Sequence, residues 1–157
     1  MLKVGDTAPD VTLHLPDGST TSIVDRRDSI LVLYFYPKDD TPGCTTEAQS
    51  FTALADEFAR AGATVIGVSK DTAARHQKFI AKYGLKIQLA SDDETGSVCE
   101  AYGTWIEKSL YGRKYMGIDR ATFLIAEDGS IARIWRKVKV KGHAEEVLAA
   151  VQSLRQD

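Results

Sequence analysis

Cys44 is the residue with the clearest chemical potential. It sits in Tyr36-Pro37-Lys38-Asp39-Asp40-Thr41-Pro42-Gly43-Cys44-Thr45-Thr46-Glu47, where a β-rich apolar run hands over to a helical pattern. That spacing puts the thiol in the first turn of the helix, where free backbone N–H groups and the macrodipole favour negative charge. A thiolate is the nucleophilic form of cysteine, and helix N-termini favour it. Pro37 has no N–H and a fixed φ, so it shapes the loop over the thiol. Thr41 offers a hydroxyl that can bond the thiolate. Pro42 and Gly43 hold a tight entry into the helix. Together these residues suit nucleophilic attack by a thiolate. A lone cysteine on an apolar helix face is otherwise a small buried hydrophobe, and only its neighbours favour the reactive reading.

The rest of the chain adds little competing chemistry. The two cysteines, Cys44 and Cys99, make neither a disulfide framework nor a zinc set, and no metal site is expected. Cys44 is followed by Thr45, Thr46 and Glu47, so the Cys-x-x-Cys of a thiol–disulfide oxidoreductase is missing. His14, His76 and His143 fall outside the motif and read as structural or solvated. Net charge is −2, from 20 Lys+Arg against 22 Asp+Glu, which makes no electrostatic case for nucleic acid or an anionic membrane. The longest apolar run, Ile30 to Tyr36, is far too short to span a bilayer, and the N-terminus has no signal-peptide pattern. The expected location is the cytoplasm, where thiols rest reduced and thiol chemistry is transient.

The elements that must position Cys44 can be read from periodicity. The length of 157 residues, 43% of them hydrophobic and 27% charged, suits a single domain over residues 1–157. Pro16 to Ser19 is a turn between extended segments Val11 to Leu15 and Thr20 to Ile23. Ser29 to Tyr36 predicts a central strand buried on both faces. Cys44, Ala48, Phe51, Ala55 and Phe58 share one face of a helix that Gly62 ends. Thr64 to Ser69 predicts a second buried strand. Asp71 can cap a helix running to about Tyr83, which Gly84 stops. Lys86 to Ala90 reads as a short strand and Thr95 to Tyr102 as a short helix. Thr104 to Gly117 reads as irregular, broken at Tyr111-Gly112. Ala121 to Ala126 and Ile131 to Val140 predict a hairpin, and His143 to Leu154 a terminal helix. This order implies an α/β fold: three-layer α/β/α with a mixed central sheet and an N-terminal β-hairpin, as in the thioredoxin-like architecture.

The motif Pro37-x-x-x-Thr41-x-x-Cys44 resembles that of the peroxiredoxins. The longer string Thr41-Pro42-Gly43-Cys44-Thr45-x-Glu47-Ala48 is similar to the Q-type, or bacterioferritin comigratory protein, subfamily. The resemblance extends to Gly5-Asp6-x-Ala8-Pro9, to Gly67-Val68-Ser69 with Asp71, to Ser91-Asp92 and to Arg120-x-Thr122-Phe123-Leu124-Ile125. It implies a thiol-dependent peroxidase acting on hydrogen peroxide and organic hydroperoxides, with Cys44 passing through a sulfenic acid and no cofactor. It implies thioredoxin or a small thiol as reductant, with a monomer or weak homodimer as the working unit. It places Arg120 beside Cys44, holding the thiolate and polarising the peroxide, with Glu47 orienting Arg120. From the residues alone, Arg120 could instead form a surface ion pair with Asp119 or Glu127, and Glu47 could be a solvated carboxylate.

The chain departs from the subfamily at the resolving cysteine. Many members carry one further along the same helix, where this chain has Gln49, or on the next helix around Gln77 to Ala81; neither segment holds a cysteine here. Only Cys99 remains, in Gly96-Ser97-Val98-Cys99-Glu100-Ala101-Tyr102. The default expectation is a packed thiol there and a one-cysteine cycle resolved by an external thiol. A resolving role for Cys99, an intermolecular disulfide, and a redox sensor or chaperone built on Cys44 stay open.

Overall fold

The computed structural model describes residues 1–26, 28–92 and 95–155. The N-terminal hairpin is β1 (Thr12–His14) and β2 (Thr20–Ser22), joined by the expected turn at Pro16 to Ser19. β3 (Ile30–Phe35) follows, and all its residues are buried. Next come α1 (Pro42–Ala53), α2 (Ala55–Arg60) and β4 (Ala63–Ser69). α3 (Ala73–Tyr83), β5 (Gln88–Ser91) and α4 (Ser97–Ala101) lead to β6 (Trp105–Leu110) and β7 (Arg113–Ile118). The chain closes with β8 (Ala121–Ile125), β9 (Ile131–Trp135) and α5 (His143–Arg155).

Seven strands form one mixed sheet in the order β2-β1-β5-β4-β3-β8-β9. β4 is parallel to β3 and β5, as strand–helix–strand connections require, and β8 is antiparallel to β3. The fold is the thioredoxin-like one expected from the element order. Side chains of β3 alternate between two cores. Ile30, Val32 and Tyr34 point into one that α1, α2, α3 and α5 cover; Leu31, Leu33 and Phe35 point into the other, which α4 and the N-terminal segment cover. The two outer layers are therefore unequal. Gly67 in β4 makes room for the buried Tyr34 ring: a Cβ there would lie 2.6 Å from Tyr34 Cζ.

Three local expectations are corrected. Thr104 to Gly117 is not irregular but holds the β6–β7 hairpin, a two-stranded ribbon apart from the main sheet. Its two-residue loop is Tyr111-Gly112, both at positive φ (51° and 78°), as a type I′ turn requires. The ribbon buries little side chain, so no apolar alternation marks it. The helix after Cys44 is interrupted at Leu54, whose φ of −105° and ψ of 9° separate α1 from α2. Thr72, not Asp71, caps α3, accepting from the Arg75 N–H at 3.2 Å. Asp71 is turned instead towards Ser69 and the loop before Cys44.

Candidate active site

β3 ends at Phe35, and the chain runs through an exposed Pro37 into Thr41, the N-cap of α1. Pro42 occupies the first turn, where its missing N–H costs nothing. Cys44 follows in the same turn, 2% exposed, with its side chain against Tyr34, Tyr36 and Phe51 of the helix-covered core. No side chain among the described residues caps the start of α1. Its free N–H groups and dipole are therefore available to an anion.

Arg120 lies at the entry to β8, and antiparallel pairing of β8 with β3 brings that entry alongside the end of β3. Its Nη2 donates to Cys44 Sγ at 3.3 Å, and its Nη1 donates to Glu47 Oε1 at 2.7 Å. Of the alternative partners, Glu127 pairs instead with Arg155 at 3.2 Å. Burial works against the Arg120 charge, but Glu47 and Cys44 outweigh it and hold the guanidinium above its ordinary range. Glu47 is not a solvated carboxylate. It is 1% exposed, one helical turn beyond Cys44 and on the same side of α1. Burial pushes its carboxyl up to about 7 despite the opposing pull of Arg120. Gly43 has a role that sequence reading did not find. A Cβ there would lie 3.2 Å from Arg120 Nη2, so the glycine leaves the guanidinium its path to Cys44.

Thr41 differs from expectation in its direction. Its hydroxyl donates to the Lys38 carbonyl at 2.8 Å rather than towards the thiol, which leaves the oxygen lone pairs free to accept. Two further polar side chains near the site escaped the sequence reading. Lys108 on β6 is close enough to feel Asp119, Arg120 and Cys44, with burial pushing its ammonium down. His76 on α3, 0% exposed, meets Asp39 from the Cys44 loop at 2.7 Å. No local pattern ties either residue to the motif.

Cys99 is 0% exposed in the other core, beside Val98 and Tyr102. The Asp92 carboxylate accepts from the N–H groups of Val98 and Cys99 at 3.0 and 3.1 Å. Burial first, and the Asp92 charge second, push the Cys99 thiol up to about 12. Among the described residues, no group of three or more His, Cys, Asp or Glu side chains could hold a metal ion. No described helix is long and apolar enough to cross a membrane.

A thioredoxin-like sheet that presents a buried cysteine at a helix N-terminus, with an arginine on its sulfur, defines the class as thiol-based redox enzymes. Comparison with known proteins narrows it. The AhpC/TSA family model matches residues 4–134. The putative peroxiredoxin bcp of Coxiella burnetii is 47% identical over 147 residues, covering 94% of this chain and 97% of that protein. Peroxiredoxin Bcp of Bacillus subtilis is 44% identical, over 98% of this chain and 97% of its own. Among solved structures, the Xanthomonas campestris bacterioferritin comigratory protein, described for its alkyl peroxide reduction activity, superposes with a TM-score of 0.89. It is 42% identical and covers 99% of this chain and 98% of its own. The chain belongs to the AhpC/TSA family, among its Bcp or Q-type peroxiredoxins. It is a thiol-dependent peroxidase, with a hydroperoxide as substrate and a thiol as reductant.

Proposed function

We propose that Cys44 is the peroxidatic nucleophile in a one-cysteine cycle. The observation that carries this reading is the 3.3 Å approach of Arg120 Nη2 to Cys44 Sγ at the start of α1. The thiolate attacks one oxygen of ROOH; the S–O bond forms as the O–O bond breaks, and the leaving alkoxide or hydroxide takes a proton to become alcohol or water. Arg120 and the N–H groups at the helix start stabilise charge on the reacting oxygens. Thr41 accepts the hydroperoxide O–H, Pro37 shapes the loop, Glu47 holds Arg120, and Gly43 keeps the guanidinium's path open. An external thiol then displaces water from the sulfenic acid, giving a mixed disulfide. A second thiol reduces that disulfide and restores Cys44.

Cys99 is left out of the cycle because it lies in the opposite core and keeps its proton. Thioredoxin or a small thiol serves as reductant, hydrogen peroxide and organic hydroperoxides as substrates, and no cofactor takes part. Residues 1–157 work as one domain. A monomer or weak homodimer suffices, since one chain supplies every site residue. Two reduced, buried cysteines suit the cytoplasm. Cys44→Ser tests the reading: peroxide consumption should vanish, and wild-type turnover in that variant would overturn it. Intact mass after one equivalent of peroxide, with and without a small thiol, should show sulfenic acid and mixed disulfide respectively.

A further inference from the structure

A buried polar cluster on the loop that leads to Cys44 is not used by the cycle above. Tyr36 donates its hydroxyl to Asp39 Oδ1 at 2.5 Å. His76 Nδ1 meets Asp39 Oδ2 at 2.7 Å, and His76 Nε2 meets the Ala90 carbonyl at 3.1 Å. All three side chains are buried, and the Tyr36 hydroxyl also lies 3.4 Å from His76 Nδ1, so the imidazole ties Asp39 and Tyr36 to the Ala90 carbonyl of β5. The Asp39 backbone N–H donates in turn to Asp71 Oδ2 at 2.8 Å, and Ser69 donates to the same oxygen at 2.7 Å. Arg75 Nε holds the other Asp71 oxygen at 2.9 Å.

These bonds converge on one short segment. Asp39 lies midway between Pro37 and Thr41, next to Lys38, whose carbonyl receives the Thr41 hydroxyl. Its neighbour Asp40 sits at a positive φ of 59°. A non-glycine residue keeps such a conformation only where its surroundings hold it. The direction of Thr41 and the first turn of α1 are thus set from α3 and β5, elements distant in sequence. We infer that His76 is a positioning residue of the peroxidase: through Asp39 it holds the Pro37–Thr41 loop so that Thr41 and Cys44 meet the hydroperoxide in register. The inference rests on the assignment of Cys44 as nucleophile.

His76→Leu fills the site without a donor and leaves the buried Asp39 carboxylate short of a partner. Loss of register between reacting groups costs far more rate than loss of a surface contact. The second-order rate with hydrogen peroxide should fall at least about tenfold. Alkylation of Cys44 by iodoacetamide needs the thiolate but not the register of Thr41, so it should stay within about threefold of wild type or rise. His76→Asn, whose amide nitrogen can stand in for Nδ1, should recover most of the peroxide rate. Asp39→Asn keeps side-chain volume and should show the same split, which decides the matter if His76→Leu does not fold. A folded His76→Leu or Asp39→Asn with a wild-type peroxide rate overturns the inference. So does a parallel fall of both rates, or an asparagine at 76 no better than leucine. Cys44→Ser in the same assay separates the two readings: activity there sinks the nucleophile assignment, whereas an inactive Cys44→Ser beside a fully active His76→Leu sinks only the role of His76.

Discussion

Cys44 and Cys99 belong to different hydrophobic cores, with the central sheet between them. Cys44 packs with Tyr34 and Tyr36, and Cys99 with Phe35, whose side chain points the opposite way from the same stretch of chain. A disulfide needs Cα atoms within about 7 Å and side chains directed at each other. Joining these two would require α1 or α4 to leave its face of the sheet.

Cys99→Ser should therefore keep full peroxidase activity with any small thiol that reaches Cys44. Peroxide should leave a trappable sulfenic acid on Cys44. Non-reducing peptide mapping checks this; a stoichiometric Cys44–Cys99 link within one chain, with turnover lost in Cys99→Ser, would show that the second cysteine resolves.

Arg120→Met should lower the second-order rate with peroxide at least about tenfold, equivalent to about 1.4 kcal/mol of barrier. It should also cost roughly 2 kcal/mol of stability by stranding the buried Glu47; a fully buried pair would cost more, but the Arg120 side chain is 18% exposed. The double variant Arg120→Met/Glu47→Gln should regain stability and not rate. Stopped-flow kinetics and denaturant unfolding measure the two effects, and an unchanged rate in Arg120→Met would remove the arginine from the chemistry.

Gly43→Ala separates rate from stability in the opposite sense. The added methyl meets Arg120 Nη2 at 3.2 Å and must push it aside. Alanine is also the better helix former, by up to about 1 kcal/mol in a helix interior. The variant should melt no lower than wild type while its peroxide rate drops roughly three- to tenfold. A wild-type rate would mean that Arg120 has slack to move.

Glu47 should leave a signature in the pH dependence of stability. Its carboxyl is raised from 4.5 to about 7 by burial, so the folded state favours the protonated form over the interval between those values. A raised folded-state value means stability fully present below 4.5 and lost as pH rises towards 7, on the order of 3 kcal/mol at most. Glu47→Gln lacks this loss. Its advantage over wild type should grow between pH 5 and pH 8, measured by denaturant unfolding of both proteins at each pH. A constant difference would show that Arg120 keeps Glu47 ionised throughout.

Several features of this protein were legible in its sequence because they are local. The junction of β3 and α1, with Pro37, Thr41, Pro42 and Gly43 leading to Cys44, is written in consecutive residues whose backbone preferences need no distant partner. The parallel core followed the same way, from buried strands alternating with amphipathic helices. Arg120 was legible only through resemblance, since nothing near it in the chain says which carboxylate or sulfur it will meet. Tertiary structure alone decided the rest. Antiparallel pairing of β8 with β3 carries Arg120 to Cys44, and packing of α1 against the sheet turns Glu47 from a surface carboxylate into a buried one. α3 delivers His76 to Asp39. The alternation of side chains across one sheet sends the two cysteines to opposite cores. The β6–β7 hairpin stayed hidden for the complementary reason: backbone pairing holds it, with little side-chain burial to leave a periodic trace. Local preferences act over a few residues, but contacts that shift charges and exclude a cysteine arise only where distant segments meet.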